Sequence, residues 1–568
     1  MDTAGGGGVT PGRLGSRVGG IIALAAVGLV LPLVIASHYG ALGVPRSDDW
    51  SYLVTLFRWV DTGQLGFNHW VSMTLLGQLA LATPVVEIFG RSVWVVQVSS
   101  AVFGFGGLLA IVALGRRVAP AGRGALLVAI TVAVGPLWGT LTTTYMTDVP
   151  SLVAQMVALL FAVRAFGDRV RTGWFVAALG AAVVGFSIRQ YGIVTVVAIL
   201  IVAAALVREG RVSRRLVIVS GLVALVACAV ILSLWARVPN PLAVEPSAPS
   251  PGTVSTMFVT MAGFLRLTAL LVVPILVFVG PARIVRAAWA ASRRATIAAT
   301  GGVFALLVVT YVRSPRAPFV GNYVDRLGTL ANDVVAGSRA EVMPTWLFDL
   351  LVLIASVSAV VLVLAAVPGM LGLWARWRAG DRQVQRPAVA VVAWTLFGLM
   401  VAYAGAVLVH LPIFDRYGLV LVPIVGVLLL TTPAGVGVRG RDSRRVGAAT
   451  LAAVVALGVI GLGYATDSAS FDATRWSVAV RATEQGYRPL QVYGGFEWLG
   501  WHRKVGPARS GIAEVRQRSR LAYFRHLCVE VIVRPGPKQA KGALVRDEIR
   551  GGLRSPTPII AARVDEPC

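Results

Sequence analysis

Apolar residues recur along this chain in runs close to the roughly 20 residues that an α-helix needs to cross a bilayer. They fall at about Val18–Ala36, Val93–Leu114, Ala125–Thr144, Val149–Val163, Trp174–Ser187, Ile193–Val207, Leu216–Trp235, Met257–Val279, Ala295–Val312, Trp346–Val367, Ala388–Val409, Leu419–Leu430 and Val446–Tyr464. The pattern predicts an all-α polytopic membrane protein of about thirteen spans. The first run follows Arg13 and Arg17 as a signal peptide would, but many more spans come after it, so it reads as an uncleaved anchor. Beyond residue 466 the long runs stop. Short β-like stretches bounded by Gly and Pro, such as Leu490–Tyr493 and Cys528–Val533, predict a small α/β domain over 467–568.

Arginine sorts between the connections. Arg116/Arg117/Arg123, Arg164/Arg169/Arg171, Arg208/Arg211/Arg214/Arg215, Arg283/Arg286/Arg293/Arg294, Arg376/Arg378/Arg382/Arg386 and Arg439/Arg441/Arg444/Arg445 fall at every second one. Positive charge collects on the cytoplasmic side of membrane proteins. This predicts a cytoplasmic tail over 1–17, a membrane domain over 18–466 and an extracytoplasmic domain over 467–568, in a multi-pass protein of the cell membrane. The alternate connections hold the acidic, aromatic and proline-rich material, at 39–91, 144–148, 189–191, 237–253, 313–345 and 410–416. Chemistry is expected on that face. In the first of these loops, aromatic residues mixed with Arg58 and Asp61 over Asp49–Trp70 predict a helix lying on the membrane interface.

Composition sharpens the exclusions. Of 568 residues, 56% are hydrophobic and only 14% charged, and the mean hydropathy is +0.76; a soluble globular protein does not look like this. The formal charge of +26 sits mostly in short arginine-bearing loops, so it marks topology and not a nucleic-acid partner. Lysine occurs only at Lys504, Lys538 and Lys541, which leaves no phosphate-binding Gly-x-x-x-x-Gly-Lys loop in the membrane region. Of three cysteines, Cys228 lies inside an apolar run, whereas Cys528 and Cys568 fall in the outer domain, where a disulfide between them is expected. Metal-binding Cys-x-x-Cys or His-x-x-x-His spacings are absent, so no zinc site is expected.

Four polar clusters stand out on the equipped face. Ser47-Asp48-Asp49-Trp50-Ser51-Tyr52 puts two carboxylates side by side near the membrane, at a cost in repulsion and desolvation unless they stay wet or do something. A solvated turn, or a helix cap by Ser47 or Asp48, accounts for it equally. Tyr145-Met146-Thr147-Asp148-Val149-Pro150 places Asp148 at the same depth, with Thr147 or Asp148 as the ordinary cap of a helix started by Pro150. Arg189, in Ser187-Ile188-Arg189-Gln190-Tyr191, either reaches for headgroups or grips a phosphate with both prongs of its guanidinium. Phe414-Asp415-Arg416-Tyr417 offers a self-neutralising pair or a second phosphate cation. Arg266, inside an apolar run, is a further ionisable group to be accounted for.

Taken in order, these segments resemble the GT-C superfamily of integral-membrane glycosyltransferases, in the branch of protein O-mannosyltransferases and aminoarabinose transferases. The resemblance runs from about Arg46 to Tyr191: Asp48 and Asp49 with Tyr52, then Phe89-Gly90-Arg91-Ser92-Val93-Trp94, Arg116-Arg117, Thr147-Asp148-Val149-Pro150 and Arg189. Phe414-Asp415-Arg416-Tyr417-Gly418-Leu419 with Pro423 is similar to the family's late segment. Two departures are Asn68-His69-Trp70, where the family often has His-Pro-Pro, and Asp49, where Glu is common.

The resemblance implies a polyprenyl-phosphate-sugar donor and an extracytoplasmic glycan, lipid or protein acceptor. It implies catalytic roles for Asp48, as base on the acceptor hydroxyl, Asp49 and Asp148, with Arg189 and Arg416 on the donor phosphate. Tyr52, His69, Gln190, Tyr191, Asp415 and Tyr417 would be substrate contacts. No cofactor is required, although a divalent cation between carboxylates and phosphate is compatible with the set. Direct displacement would invert the anomeric centre. Two rival readings are a secondary transporter and a cell-envelope assembly protein. The first would put its ionisable groups near the midplane within two repeated halves; the second would bind polymer through the aromatic stretch Tyr493–His502.

Overall fold

The structure is a computed structural model that describes residues 11–67, 71–119, 122–238, 247–314, 318–329, 336–380, 383–436, 443–503 and 527–564. Ten helices among these are long and apolar enough to cross a membrane, and each continues one of the predicted runs: Val18–His38, Val93–Val118, Asp148–Ala165, Gln190–Arg208, Arg214–Arg237, Pro251–Leu271, Arg293–Arg313, Thr345–Arg378, Pro387–Leu408 and Arg445–Glu484. The protein is a multi-pass membrane protein with a small sheet near its C-terminal end.

Three expected spans are shorter. Gly122–Val134 has 13 residues, Thr172–Ile188 has 17 and Leu421–Thr431 has 11. The cause is local in each. Pro136 withholds a donor and turns Gly135 away from helical geometry; Arg189 is extended at φ −143°, ψ 136°; a 3-10 turn over Asp415–Val420 precedes the third, and Pro433 follows it. The run read as Met257–Val279 breaks at Val272, before Pro274. Its second half joins Pro281–Ala291 as a pair bent by 67°, the eleventh candidate span.

The segment expected to lie on the interface packs one face against protein, while Arg58 and Asp61 stay exposed. It forms the helix Asp49–Thr62, whose Trp50, Tyr52, Leu53, Leu56 and Phe57 are buried, and the short helix Phe496–His502 packs on it. Gly500 permits that contact: a Cβ there would stand 2.4 Å from the Trp50 ring.

Near the C-terminus, β1 (Ala336–Gly337), β2 (Val492–Tyr493), β3 (Val529–Val533), β4 (Ala543–Ile549) and β5 (Thr557–Arg563) form one sheet. β3 pairs in parallel with β1 and β2 and antiparallel with β5, which pairs antiparallel with β4. Through β1, the loop between Arg293–Arg313 and Thr345–Arg378 joins this sheet. The expected boundary at 466/467 falls inside the 42-residue helix Ser443–Glu484.

Buried ion pairs fasten the sheet region to the membrane helices. Glu497 and Arg475 pair at 2.6 Å, both side chains fully buried. Arg475 reaches Asp472 at 3.3 Å, and Asp472 accepts from Arg46 Nε at 3.0 Å. Asp467 bridges Arg339 at 2.7 Å and Arg554 at 2.6 Å. Cys528 is disulfide-bonded and Cys228 is free; Cys568 lies outside the described residues.

Candidate active site

Four charged groups distant in sequence meet at one end of the bundle. Asp48 precedes the Asp49–Thr62 helix, Asp148 opens Asp148–Ala165, Arg189 closes Thr172–Ile188, and Arg416 sits in the 3-10 turn Asp415–Val420. Arg164, in the last turn of the Asp148 helix, lies about 24 Å from Asp148 at 1.5 Å per residue, so the arginine-rich ends are opposite the cluster.

Arg416 Nη2 lies 2.8 Å from Asp48 Oδ2, and its Nε lies 3.9 Å from Asp148 Oδ2. Arg189 Nη1 donates to the other oxygen of Asp148. Asp148 is thus enclosed between two guanidinium groups, its side chain 1% exposed, while the Asp48 side chain is 15% exposed. Both capping readings fail. Asp48 and Thr147 occupy N-cap positions, yet neither side chain makes a capping bond. Burial acts to lower Arg416, but the adjacent carboxylates, Asp48 first and then Asp148, carry it well above the ordinary arginine value. Arg416 Nε and Nη1 are buried without a hydrogen-bond partner.

Aromatic rings wall the cluster. Arg189 lies 4.1 Å above the Tyr417 ring, and Tyr191 stands edge-on to Tyr403 at 5.0 Å. Tyr52 is buried beside Asp48; burial, and then that charge, push its phenol well above its usual value. Tyr323, which the sequence did not single out, donates to Ser47 Oγ at 2.8 Å and faces Arg416. The cavity among Asp148, Arg189, Tyr191, Arg416 and Tyr417 measures about 20 Å³, room for about one water.

The other expected residues hold backbone. Asp49 is fully buried and accepts from the Arg46 and Tyr145 N–H groups, which ties its loop to the Asp148 loop. Asp415 Oδ2 accepts from the N–H of Tyr323, at 2.8 Å, and of Val324. Gln190 donates to Ser72 O at 3.1 Å from an exposed position. His69 lies outside the described residues. Arg266 is buried and donates to the carbonyls of Pro318 and Leu307 and to Thr310 Oγ1, so its role is structural.

Burial pushes the Asp49 carboxyl up to about 8 against its two N–H donors. A raised carboxyl stabilises the fold fully below the unfolded value of about 4 and loses that contribution as pH rises through the folded value. The thermal midpoint of the wild type is therefore expected to fall more between pH 6 and pH 9 than that of Asp49→Asn. Parallel declines would contradict this.

Among the described residues no group of three or more His, Cys, Asp or Glu is placed to hold a metal ion. Asp48 and Asp148 each pair with a guanidinium group in this structure.

Residues 77–235 match the family model described as dolichyl-phosphate-mannose-protein mannosyltransferase. The matched stretch, a little over a quarter of the chain, supplies Asp148 and Arg189, and over it the chain is similar to that family of membrane glycosyltransferases. More particularly, two solved structures are similar over most of its length. ArnT from Cupriavidus metallidurans bound to undecaprenyl phosphate has 16% identity, covering 96% of this chain and 98% of its own, with a TM-score of 0.41. The archaeal oligosaccharyltransferase AglB from Archaeoglobus fulgidus, in complex with an inhibitory peptide and a dolichol-phosphate, has 14% identity, covering 82% of this chain and 58% of its own, with a TM-score of 0.42. No curated protein matches the sequence.

Proposed function

We propose that this protein transfers a sugar from a polyprenyl-phosphate-sugar to an acceptor hydroxyl on the extracytoplasmic face, with inversion. The observation that carries the reading is the pair of unpartnered donors on Arg416, buried between Asp48 and Asp148 and backed by Arg189. Such donors suit a phosphate, whose charge grows as the bond to the sugar breaks.

In this reading Asp148 is the group that holds both cations in place. Asp48, the more open carboxylate, takes the proton from the acceptor oxygen as that oxygen attacks the anomeric carbon and the polyprenyl phosphate leaves. The site as it stands is closed. Incoming donor phosphate replaces Asp48 on Arg416, and that exchange frees the base only when the donor is in place. An apolar groove of about 510 Å³, lined by Leu81, Val85, Phe89, Val98 and Phe103, runs to Tyr145 and Pro150 beside Asp148; it supports an isoprenoid tail lying there with its phosphate at the cluster.

The test is transfer by purified protein in lipid nanodiscs, supplied with undecaprenyl-phosphate sugars and an envelope extract as acceptor. Formation of a glycosylated product with release of undecaprenyl phosphate is expected. Failure to bind undecaprenyl phosphate at all would refute the reading.

A further inference from the structure

Further along the helix that begins beside Asp48 there is a second, larger opening. Arg58 lies ten residues past Asp48, about 15 Å away at 1.5 Å per residue. It borders a cavity of about 830 Å³ shared by the Asp49–Thr62 helix, the turn before Val93 and the end of the Phe496–His502 helix. That size falls within the range of sites that enclose a ligand of several rings.

Its walls combine rings and cations. Phe57 and Trp501 meet edge to face at 6.3 Å. The Arg91 guanidinium stands 5.1 Å over the Phe57 ring and 2.6 Å from Asp61. Arg58 and Arg503 are exposed at the same opening. Among the described residues, Arg58, Arg91 and Arg503 thus line this opening together with Asp61. The site is assembled between elements more than 400 residues apart in sequence, and the close approach at Gly500 fixes their separation.

This lining excludes an isoprenoid chain and suits a different ligand. Aromatic faces receive the C–H faces of sugar rings, and guanidinium groups grip carboxylate or phosphate in two-pronged fashion. We infer that this cavity is an acceptor subsite and that its ligand is an anionic carbohydrate, a glycan bearing uronate or phosphate groups. It lies along the Asp49–Thr62 helix with the hydroxyl to be glycosylated at Asp48. The inference rests on the transferase reading of the Asp48 cluster and names the acceptor class for it.

The experiment is equilibrium binding to the full-length protein in nanodiscs with four probes: hexagalacturonate, a phosphorylated hexamannoside, neutral maltohexaose and hexaglutamate. At least one anionic saccharide is expected to bind 10-fold or more tighter than both maltohexaose and hexaglutamate, and the tighter of the two identifies the anion. Arg58→Gln is expected to weaken that binding at least 5-fold, and Arg58→Gln with Arg91→Gln further. Both side chains are exposed, so the thermal midpoint should hold. Preference for maltohexaose or for hexaglutamate, or unaltered saccharide affinity in both variants, overturns the inference. A parallel titration with undecaprenyl phosphate separates the two proposals. Loss of lipid binding by the wild type tells against the transferase, whereas intact lipid binding with indifferent saccharide binding tells against the subsite alone.

Discussion

Replacing Asp48 by asparagine is expected to lower kcat by about 10²- to 10⁴-fold, the usual contribution of a positioned general base, with little change in thermal midpoint. Of the three carboxylates Asp48 is the one the proposed mechanism uses. Asp148 is enclosed between Arg189 and Arg416, and Asp49 is held by the backbone of Arg46 and Tyr145. An asparagine oxygen still accepts from Arg416 Nη2 as a neutral hydrogen bond, and Arg416 keeps Asp148 as its counter-ion, so donor binding survives. Single-turnover transfer at saturating donor, measured beside thermal unfolding, checks this. Wild-type rates in the variant would remove Asp48 from the chemistry.

Arg416→Lys is expected to weaken donor binding by about 10- to 100-fold, as the loss of one or two charge-assisted hydrogen bonds implies. Lysine keeps the positive charge but is a single point, and it cannot offer a phosphate the two-pronged N–H fork of the guanidinium. Arg416→Ala would go further. Removing one partner from a buried ion pair typically destabilises by about 3–5 kcal/mol, and here it leaves Asp48 and Asp148 without their shared cation. A titration with undecaprenyl phosphate and a melting curve for each variant separate loss of binding from loss of fold; equal donor affinity in Arg416→Lys would show that the fork is not used.

The reach of the sequence can be traced residue by residue. That Asp48, Asp148, Arg189 and Arg416 lie together is legible in the sequence because helix ends separated by an even number of spans return to one level, and arginine-rich loops mark the other level. Asp49 was harder to read. Successive residues on a helix point about 100° apart, so of two adjacent carboxylates one faces the cavity and the other turns into the protein, and composition does not say which. Asp415 has the same ambiguity beside Arg416. Tyr323 lacked any signal, because the loop that carries it is placed only by tertiary contacts. The chain from Glu497 to Arg46 was legible in one part: Asp472 and Arg475, three apart on a helix, form a neighbouring pair. Over Asp49–Thr62 several of the aromatic residues meet protein, because rings that would suit a headgroup layer suit a protein interface equally well.

The helix Ser443–Glu484 is about 63 Å long at 1.5 Å per residue, roughly twice the thickness of a bilayer's hydrocarbon core. It runs well past such a core, and the sheet region near the C-terminus is bonded along its second half. At mid-height Ser468 and Asp472 hold the guanidinium of Arg46, two residues before Asp48. A shift of this helix is therefore passed to Arg46 and, in the transferase reading, to the proposed base two residues on.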